Sequence, residues 1–200
     1  YAARNMATKA KEIGDNKCAG LYTSTFHSFY LDMLRRYGNI IGMDPNFVIL
    51  NSDGSIEDSI SQVMAKYTEY GEVKGFPSFS DIREAYSYAI NTGRPLDQVL
   101  SEFKKTMDYV AELCDLYEIW TKEKEATNNY TYDDLMVKML ELMQTENGRN
   151  AVSSLFDYIM VDEYQDINKP QNEILQLLTN SNPNVAVVGD DYQAIYGFRG

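Results

Sequence analysis

The stretch from residue 158 to 171, YIMVDEYQDINKPQ, decides how this chain folds. An apolar, β-rich run over Leu155–Val161 ends in two adjacent carboxylates, Asp162 and Glu163, and Asp166 adds a third acid. Strand interiors do not usually finish in this way, because a carboxylate is costly to bury without a partner. The pattern predicts a strand whose last residues reach an open edge of a sheet.

A second short apolar run, Asn184–Val188, is also followed by two acids, Asp190 and Asp191. Between the two runs, Asn168–Leu178 has the apolar spacing of an amphipathic helix. Apolar strands that alternate with helices predict a parallel sheet covered on both faces. Ligands of such sheets bind beyond the carboxyl ends of the strands, so the sequence predicts a site where both acid pairs meet.

The acids of the first strand suit the chemistry of nucleotide hydrolysis. One carboxylate can hold Mg²⁺, directly or through a water molecule, because this hard cation prefers oxygen ligands. The neighbouring carboxylate can orient and deprotonate an attacking water molecule. The alternative is that Asp162 or Asp166 only caps the helix that follows.

The middle of the chain, from about residue 42 to 130, shows only helical patterns. Helices are predicted over 55–70 and 79–91, followed by one long helix that begins near Leu96 and continues through Tyr117. Because no strand signal interrupts this block, it is predicted to be an all-helical subdomain. Outside it, the predicted elements are a helix over 1–14, a strand over Leu21–Ser24, a helix from Phe26 to about Gly38 and a helix over Asp133–Met143.

Composition excludes several classes of protein. The 200 residues are 44% apolar and 24% charged, as in a soluble globular domain. No stretch approaches the roughly 18 apolar residues of a membrane span, and no signal segment opens the chain. Two distant cysteines, Cys18 and Cys114, and a single histidine, His27, lack the spacing of a zinc site. This cysteine usage fits a cytoplasmic location.

The formal net charge of −12 argues against a nucleic-acid partner, because an acidic surface repels phosphate. The charge is uneven along the chain. Residues 1–40 hold six Lys or Arg against three acids, which gives +3 and leaves −15 for the other 160 residues. The basic start could present a local phosphate-binding surface, although six cations on forty residues also fit a solvated helix.

Four segments resemble, in the same order, motifs of the UvrD/Rep/PcrA-like superfamily 1 ATP-dependent DNA helicases. VDEYQD at 161–166 resembles the Walker B box of that family, and VVGDDYQAIYGFRG at 187–200 resembles its motif III. TSTFHSF at 23–29 is similar to the family's TFH motif, and YTYDDLM at 130–136 to the acidic-aromatic motif that precedes the Walker B box. Each segment alone is a moderate signal, and the four in order make a strong one.

The resemblance implies an α/β fold, namely a partial RecA-like P-loop NTPase parallel sheet with an all-helical inserted subdomain. Residues 1–40 and 129–200 would form the partial RecA-like domain 1A, and residues 41–128 the helical insert 1B. A GxxxxGK[ST] loop, which cradles phosphates, does not occur in the 200 residues. We therefore expect a fragment that lacks the Walker A segment and the second RecA-like domain of the same polypeptide, and that is inactive alone.

For ATP hydrolysis, the resemblance implies ATP and Mg²⁺ as cofactors and assigns three residues. Asp162 would serve the Mg²⁺ of bound ATP, and Glu163 would be the general base. Gln193 would sense the γ-phosphate and link it to the DNA-binding surface, since an amide can donate to phosphate or accept from water. The alternative for Gln193 is a turn residue between a strand and a helix.

The resemblance also implies binding of single-stranded and forked DNA. The rings of Tyr196 and Phe198 would stack on unpaired bases, and Arg199 would contact phosphate or base. Near the start of the chain, the DNA-contacting residues would be Asn5, Thr25, Phe26 and His27.

Structural alternatives stay open for several of these residues. Tyr196 and Phe198 could be interior residues at the sheet edge, and His27 could be a structural histidine. Asp133 and Asp134, in the segment before the Walker B box, could be a helix start rather than a functional pair. Around Asn5 the segment reads AARNMATKAKEI, with arginine and methionine where the family has threonine and lysine.

The residues and the resemblance together predict part of a helicase that couples ATP hydrolysis to 3′ to 5′ translocation on single-stranded DNA. Duplex unwinding in DNA repair or replication would follow from that movement. Two other functions stay open. The chain could be a non-catalytic module that binds another protein or DNA, or part of a RecB/AddA-type helicase–nuclease, which shares these motifs.

Overall fold

The computed structural model describes residues 8, 9, 12, 20–67, 75–180, 184–190 and 192. Most of the predicted helix over 1–14 lies outside these residues, as does Asp191 after the second predicted strand. Five of the predicted site residues also lie outside the described residues, namely Asn5, Gln193, Tyr196, Phe198 and Arg199.

The described chain alternates longer helices with strands of two or three residues. Its first half holds α1 (Phe26–Tyr37), β1 (Val48–Ile49), α2 (Asp53–Tyr67), α3 (Phe79–Thr92), α4 (Leu96–Glu102) and α5 (Val110–Ala126). Its second half holds β2 (Asn129–Tyr130), α6 (Tyr132–Gln144), α7 (Glu146–Ser153), β3 (Ile159–Val161), α8 (Lys169–Thr179) and β4 (Val185–Val187). Short 3₁₀ turns lie at Gly38–Ile41, Met107–Tyr109 and Tyr164–Asp166. The structure is mostly helical with short parallel strands, which is compatible with the predicted α/β class.

The helices predicted by apolar periodicity at α6 and α8 are confirmed, and polar caps mark their first turns. At α6, the Thr131 hydroxyl accepts a hydrogen bond from the Asp134 N–H at 3.2 Å, and Asp134 Oδ2 accepts one from the Thr131 N–H at 2.7 Å. Asn168 and Gln171 form the same reciprocal box at the start of α8. Each box satisfies backbone N–H groups that have no partner inside the helix, so it fixes where the helix begins.

Two hydrophobic cores hold these helices together. The first lies between α1, α6, α7 and α8 and contains Tyr30, Met33, Leu34, Leu135, Met139, Leu142, Val152, Ile174 and Leu178. The second lies within the helical block, the name used here for helices α2 to α5, and contains Ile60, Val63, Ile82, Tyr86, Val99, Leu100, Leu113, Leu116 and Trp120. Among the described helices, none is both long and apolar enough to cross a membrane.

Two predictions for the middle of the chain are wrong. The long helix expected from Leu96 is interrupted, because Phe103 is extended and the buried Thr106 hydroxyl donates to the Leu100 carbonyl at 2.7 Å. This hydrogen bond ends α4 by satisfying a carbonyl of its last turn. The region from about residue 42 to 130, predicted to be all-helical, also contains a strand, since β1 pairs in parallel with β2 and places Val48 opposite Asn129.

The strand predicted over Leu21–Ser24 is also wrong. Residues 21–25 are not part of any strand, and Leu21 and Tyr22 are exposed. Thr25 takes a different role, because its hydroxyl accepts a hydrogen bond from the Ser28 N–H at 3.3 Å and thereby caps α1. The short apolar signal in this segment therefore reflects ring contacts, in which Tyr22 packs on Phe29 and Phe156.

The parallel pairing predicted for the two acid-ended strands is confirmed. β3 and β4 pair in parallel, with Ile159 opposite Val185 and Val161 opposite Val187. The strands are shorter than the apolar runs that predicted them. The expectation that both faces of this sheet are covered is wrong for the described chain, because Met160 is 79% exposed while its neighbour Val161 is buried. Side chains alternate along β3, so one side of this strand is buried and the other is open, whereas all three residues of β4 are exposed.

Two of the buried tyrosines, Tyr30 and Tyr86, allow a matched test of the cores. Tyr30 Oη is buried and has no hydrogen-bond partner among the described residues, whereas the Tyr86 hydroxyl donates to the Leu113 carbonyl at 2.6 Å. Removing an unpaired buried hydroxyl relieves a desolvation cost, so Tyr30→Phe is expected to raise the free energy of unfolding by about 1 kcal/mol. Tyr86→Phe should lower it by about 1 kcal/mol. Urea unfolding of both variants checks the pair, and a destabilised Tyr30→Phe would contradict the assignment.

Candidate functional site

The candidate site lies beyond the carboxyl ends of β3 and β4. The Val188 N–H donates to the Val161 carbonyl at 2.8 Å, and the Tyr164 N–H donates to the Val188 carbonyl at 2.9 Å. These bonds continue the parallel pairing past the strands, so the segment that carries Asp162 and Glu163 lies beside the segment that leads to Asp190. The predicted meeting of the two acid-ended strands at one sheet edge is therefore found.

Gln165 joins the two segments through its side-chain amide. Its Oε1 atom accepts a hydrogen bond from the Asp190 N–H at 2.9 Å, and its Nε2 atom donates to Glu163 Oε2 at 2.6 Å. One side chain thus fixes the Glu163 carboxylate relative to the loop after β4. Sequence reasoning missed this residue, since a glutamine two places after an acid has no periodic or compositional signal.

Gly189 permits the close approach of the two loops. A Cβ atom at this position would come within 2.7 Å of Gln165 Oε1 and 3.2 Å of the Gln165 backbone nitrogen. The first distance is shorter than a carbon atom tolerates and the second is tight, so a larger residue would push the Gln165 side chain out of its position. The glycine in VVGDD is therefore part of the site geometry rather than only a turn signal.

Glu163 has an unusual backbone conformation. Its φ and ψ angles are 54° and 44°, in the left-handed region, and its carbonyl accepts a hydrogen bond from the Asp166 N–H at 2.9 Å. For a residue with a long side chain this conformation is uncommon and costs on the order of 1 kcal/mol or more. Residues in such conformations occur preferentially at functional sites, which motivates the hypothesis that Glu163 has a functional role.

Asp162 is exposed and does not cap a helix. Its Oδ1 atom accepts a hydrogen bond from the Glu163 N–H at 3.0 Å, and Oδ2 receives none from the described residues. Helix α8 is capped by Asn168 instead, so the alternative that Asp162 or Asp166 caps it is wrong. Within the described ranges, no group of three or more His, Cys, Asp or Glu side chains could enclose a metal ion. A Mg²⁺ ion fits an isolated carboxylate of this kind, because it usually keeps several waters and phosphate oxygens as ligands.

The TFH segment forms the start of α1. Thr25 is its N-cap, and the half-buried Phe26 packs against the ring of Tyr30. His27 is also half-buried and meets the ring of Tyr132 edge-on, with the ring centres 5.5 Å apart. These contacts give all three predicted DNA-binding residues a structural role, and their DNA contacts stay a prediction.

Of the adjacent acids Asp133 and Asp134, the second is structural. Its carboxylate completes the cap of α6 and accepts two hydrogen bonds from Lys124 Nζ, at 2.7 and 2.6 Å. The Lys124 ammonium also lies 3.7 Å from the centre of the Trp120 ring. Burial lowers the pKa of Lys124, and the Asp134 carboxylate opposes that shift. The helix-start interpretation is confirmed for Asp134.

Asp133 faces a different neighbour. Its Oδ1 atom accepts a hydrogen bond from Asn91 Nδ2, in α3, at 3.1 Å. Asn91 also accepts a hydrogen bond from the side chain of Asn168, the cap of α8. Sequence reasoning placed residue 91 only at the end of the helix predicted over 79–91, so it missed both contacts.

The whole chain, residues 1–200, matches a family model described as the UvrD/REP helicase N-terminal domain. The chain belongs to this helicase family. The family predicted from the four motifs is therefore confirmed.

Relatives of this helicase family in three bacteria match the full length of the chain. PcrA of Staphylococcus aureus, an ATP-dependent DNA helicase, is 29% identical over 201 residues, which cover 100% of this chain and 27% of that protein. A probable DNA helicase II homolog of Mycoplasma capricolum is 27% identical over 205 residues, with 100% and 27% covered. PcrA of Leuconostoc citreum is 29% identical over 204 residues, with 100% and 26% covered. The chain spans about a quarter of the length of these relatives.

Amide variants of the two neighbouring acids of α6, Asp133 and Asp134, should differ in their free energy of unfolding. Asp134→Asn leaves Lys124, whose side chain is 2% exposed, without its counter-charge, so the free energy of unfolding should fall by about 3 kcal/mol. Asp133→Asn retains the oxygen that accepts the hydrogen bond from Asn91, so it should change the free energy of unfolding by less than about 1 kcal/mol. Urea unfolding of the two variants checks this difference, and equal losses would show that the Lys124 ion pair has no special weight.

Proposed function

We propose that this chain supplies part of the ATP site and of the DNA-binding surface of an ATP-dependent DNA helicase. The full-length protein would couple ATP hydrolysis to 3′ to 5′ translocation on single-stranded DNA and to duplex unwinding in repair or replication. The observation that carries the proposal is the sheet edge at which Gln165 links Glu163 to the loop after β4, in a chain that matches the family from end to end.

In this proposal Asp162 would hold the Mg²⁺ of ATP, and its Oδ2 atom accepts no hydrogen bond from the described residues. When bound, the ion would supply positive charge next to the phosphate oxygens. Asp162 suits this role because it is exposed and stands at the carboxyl end of a parallel strand, where ligands of such sheets bind. Its position would orient the phosphates relative to Glu163.

Glu163 is the proposed general base. Its carboxylate is exposed, so a water molecule can reach it, and the hydrogen bond from Gln165 Nε2 restricts where it points. Orientation of this kind matters because a base must lie within hydrogen-bond reach of the proton it removes. Gln193 would contact the γ-phosphate, and it follows the loop that Gln165 fixes through Asp190.

The DNA-binding part of the proposal uses the aromatic and polar residues named above. Tyr196 and Phe198 would stack on bases, and Arg199, Asn5, Thr25, Phe26 and His27 would contact the strand. At Thr25 the structure refines the expectation, because its hydroxyl already accepts from the Ser28 N–H and donates to Ser28 Oγ at 3.0 Å. In this proposal the N-terminus of α1, rather than the Thr25 hydroxyl, would then face the phosphate.

Other segments of the polypeptide would complete the ATP site. The 200 residues contain no phosphate-cradling GxxxxGK[ST] loop, so we propose that a Walker A segment and a second RecA-like domain act together with this chain. The division into a partial RecA-like domain 1A, over 1–40 and 129–200, and a helical insert 1B, over 41–128, belongs to the same proposal. It includes a cytoplasmic location, and it predicts that the isolated chain does not hydrolyse ATP.

The role of Glu163 is tested by an isosteric substitution in the full-length protein. Glu163→Gln removes the proton acceptor while it keeps the shape of the side chain, so the kcat of single-strand-stimulated ATP hydrolysis should fall at least about 100-fold. The affinity for ATP should stay within about threefold of wild type, because the base contributes to the reaction rather than to binding. Steady-state ATPase assays and nucleotide titrations give both values.

The matched control is Glu173→Gln, the same change at an exposed position of α8. It should leave kcat unchanged. Hydrolysis by Glu163→Gln at the wild-type rate would remove Glu163 from the reaction, and the absence of any ATPase activity in the full-length wild-type protein would contradict the proposed function itself.

A further inference from the structure

Asn91 connects three parts of the chain that are distant in sequence. It lies near the end of α3, in the helical block, and its Oδ1 atom accepts a hydrogen bond from Asn168 Nδ2 at 2.7 Å. Its Nδ2 atom donates to Asp133 Oδ1 at 3.1 Å and to the Ser87 carbonyl at 2.8 Å. The first two contacts span 77 and 42 positions of sequence. One amide therefore joins the helical block to the starts of both α8 and α6.

Asn168 depends on this contact because it is buried. It is only 5% exposed, and its Oδ1 atom is already used to accept from the Gln171 N–H at 2.9 Å. In the described part of the chain, its Nδ2 group donates to Asn91 alone. A buried donor that loses its partner pays the full cost of desolvation, so the position of Asn168 is closely tied to that of Asn91.

Asn168 is also the end point of the carboxylate segment, defined as residues 162–167. At its start, this segment is held to the sheet by the pairing of β3 with β4 and by Gln165. At its end, it is held by Asn168 and by the Tyr164 hydroxyl, which donates to Asn172 Oδ1, in the first turn of α8, at 2.9 Å. The carboxylate segment is thus fixed at one end to the sheet and at the other end, through Asn168, to the amide of Asn91.

The junction around Asn91 is only partly filled. A cavity of about 200 Å³ lies between the helical block and α6, and Ser87 and Asp133, two partners of Asn91, are in its wall. The cavity removes van der Waals contacts that would otherwise connect the two sides. Beside this cavity, the polar contacts of Asn91 connect the two sides together with the buried Lys124–Asp134 ion pair.

We propose that Asn91 is a positioning residue that transmits a shift at the start of α6 to the carboxylate segment. Single-stranded DNA bound at the start of α1, where His27 meets the ring of Tyr132, would shift the start of α6. Asn91, which contacts both Asp133 and Asn168, would pass that shift to the turn that carries Glu163. This inference rests on the proposed ATPase and helicase function. Its consequence is that Asn91 acts on the stimulation of hydrolysis by DNA rather than on hydrolysis as such.

The test measures ATP hydrolysis by the full-length protein with and without single-stranded DNA. Asn91→Ala should lower the DNA-stimulated kcat about fivefold, the lower range of typical couplings between sites, while the basal kcat and the KM for ATP stay at wild-type values. Glu84→Ala, an exposed change on the same helix, is the matched control and should leave both rates unchanged.

A second variant approaches the contact from the other side and covers the case in which Asn91→Ala does not fold. Asn168→Asp keeps a good helix cap, since aspartate and asparagine cap equally well, but it removes the Nδ2 donor. It should lose DNA stimulation to the same extent, and the double variant should lose no more than either single one, because both break one contact.

Three results would overturn the inference. Wild-type stimulation in Asn91→Ala or Asn168→Asp would show that the contact transmits nothing. An equal fall of the basal and the stimulated rates would show that Asn91 only supports the fold. A full-length wild-type protein with no DNA-stimulated ATPase would overturn the proposed function and this inference with it, whereas a stimulated wild type with unchanged variants overturns the inference alone.

Discussion

The side-chain amide of Gln165 is the contact on which the geometry of the candidate site depends. It accepts from the Asp190 N–H and donates to the Glu163 carboxylate, so it joins the two loops that follow β3 and β4. The parallel register of the strands brings the loops side by side, and Gly189 leaves the space in which the amide fits. An amide suits this position because it is both donor and acceptor, which neither a carboxylate nor an ammonium can be.

Polar contacts of a similar kind connect the helical block to the rest of the chain. Lys124 and Asp134 form a buried ion pair across the start of α6, and Asn91 bridges to Asn168 at the start of α8. A buried ion pair adds little net stability compared with apolar packing, but the loss of one partner is costly. These contacts therefore fix a single relative placement of the two hydrophobic cores more than they add to the free energy of unfolding.

The helices with strong apolar periodicity, and the acids that end the strand, could be predicted from sequence alone. α3 and α6 lie within one residue of their predicted bounds, since caps such as Thr131 are local signals. The break between α4 and α5 could not be predicted, because it depends on the burial of Thr106 against Leu100. For the same reason the bridging roles of Gln165 and Asn91 could not be predicted. An amide becomes a bridge only through partners that the fold brings to it, and no residue pattern encodes those partners.

Whether Gln165 holds the proposed base in place is tested most directly by single-turnover hydrolysis of ATP in the full-length protein that carries Gln165→Leu. The leucine has a similar size but cannot hydrogen-bond to Glu163 or Asp190. ATP should bind as in the wild type, while hydrolysis slows roughly ten- to hundredfold, because a misplaced catalytic group loses that much rate. Hydrolysis at the wild-type rate in this variant would contradict the central role given to Gln165.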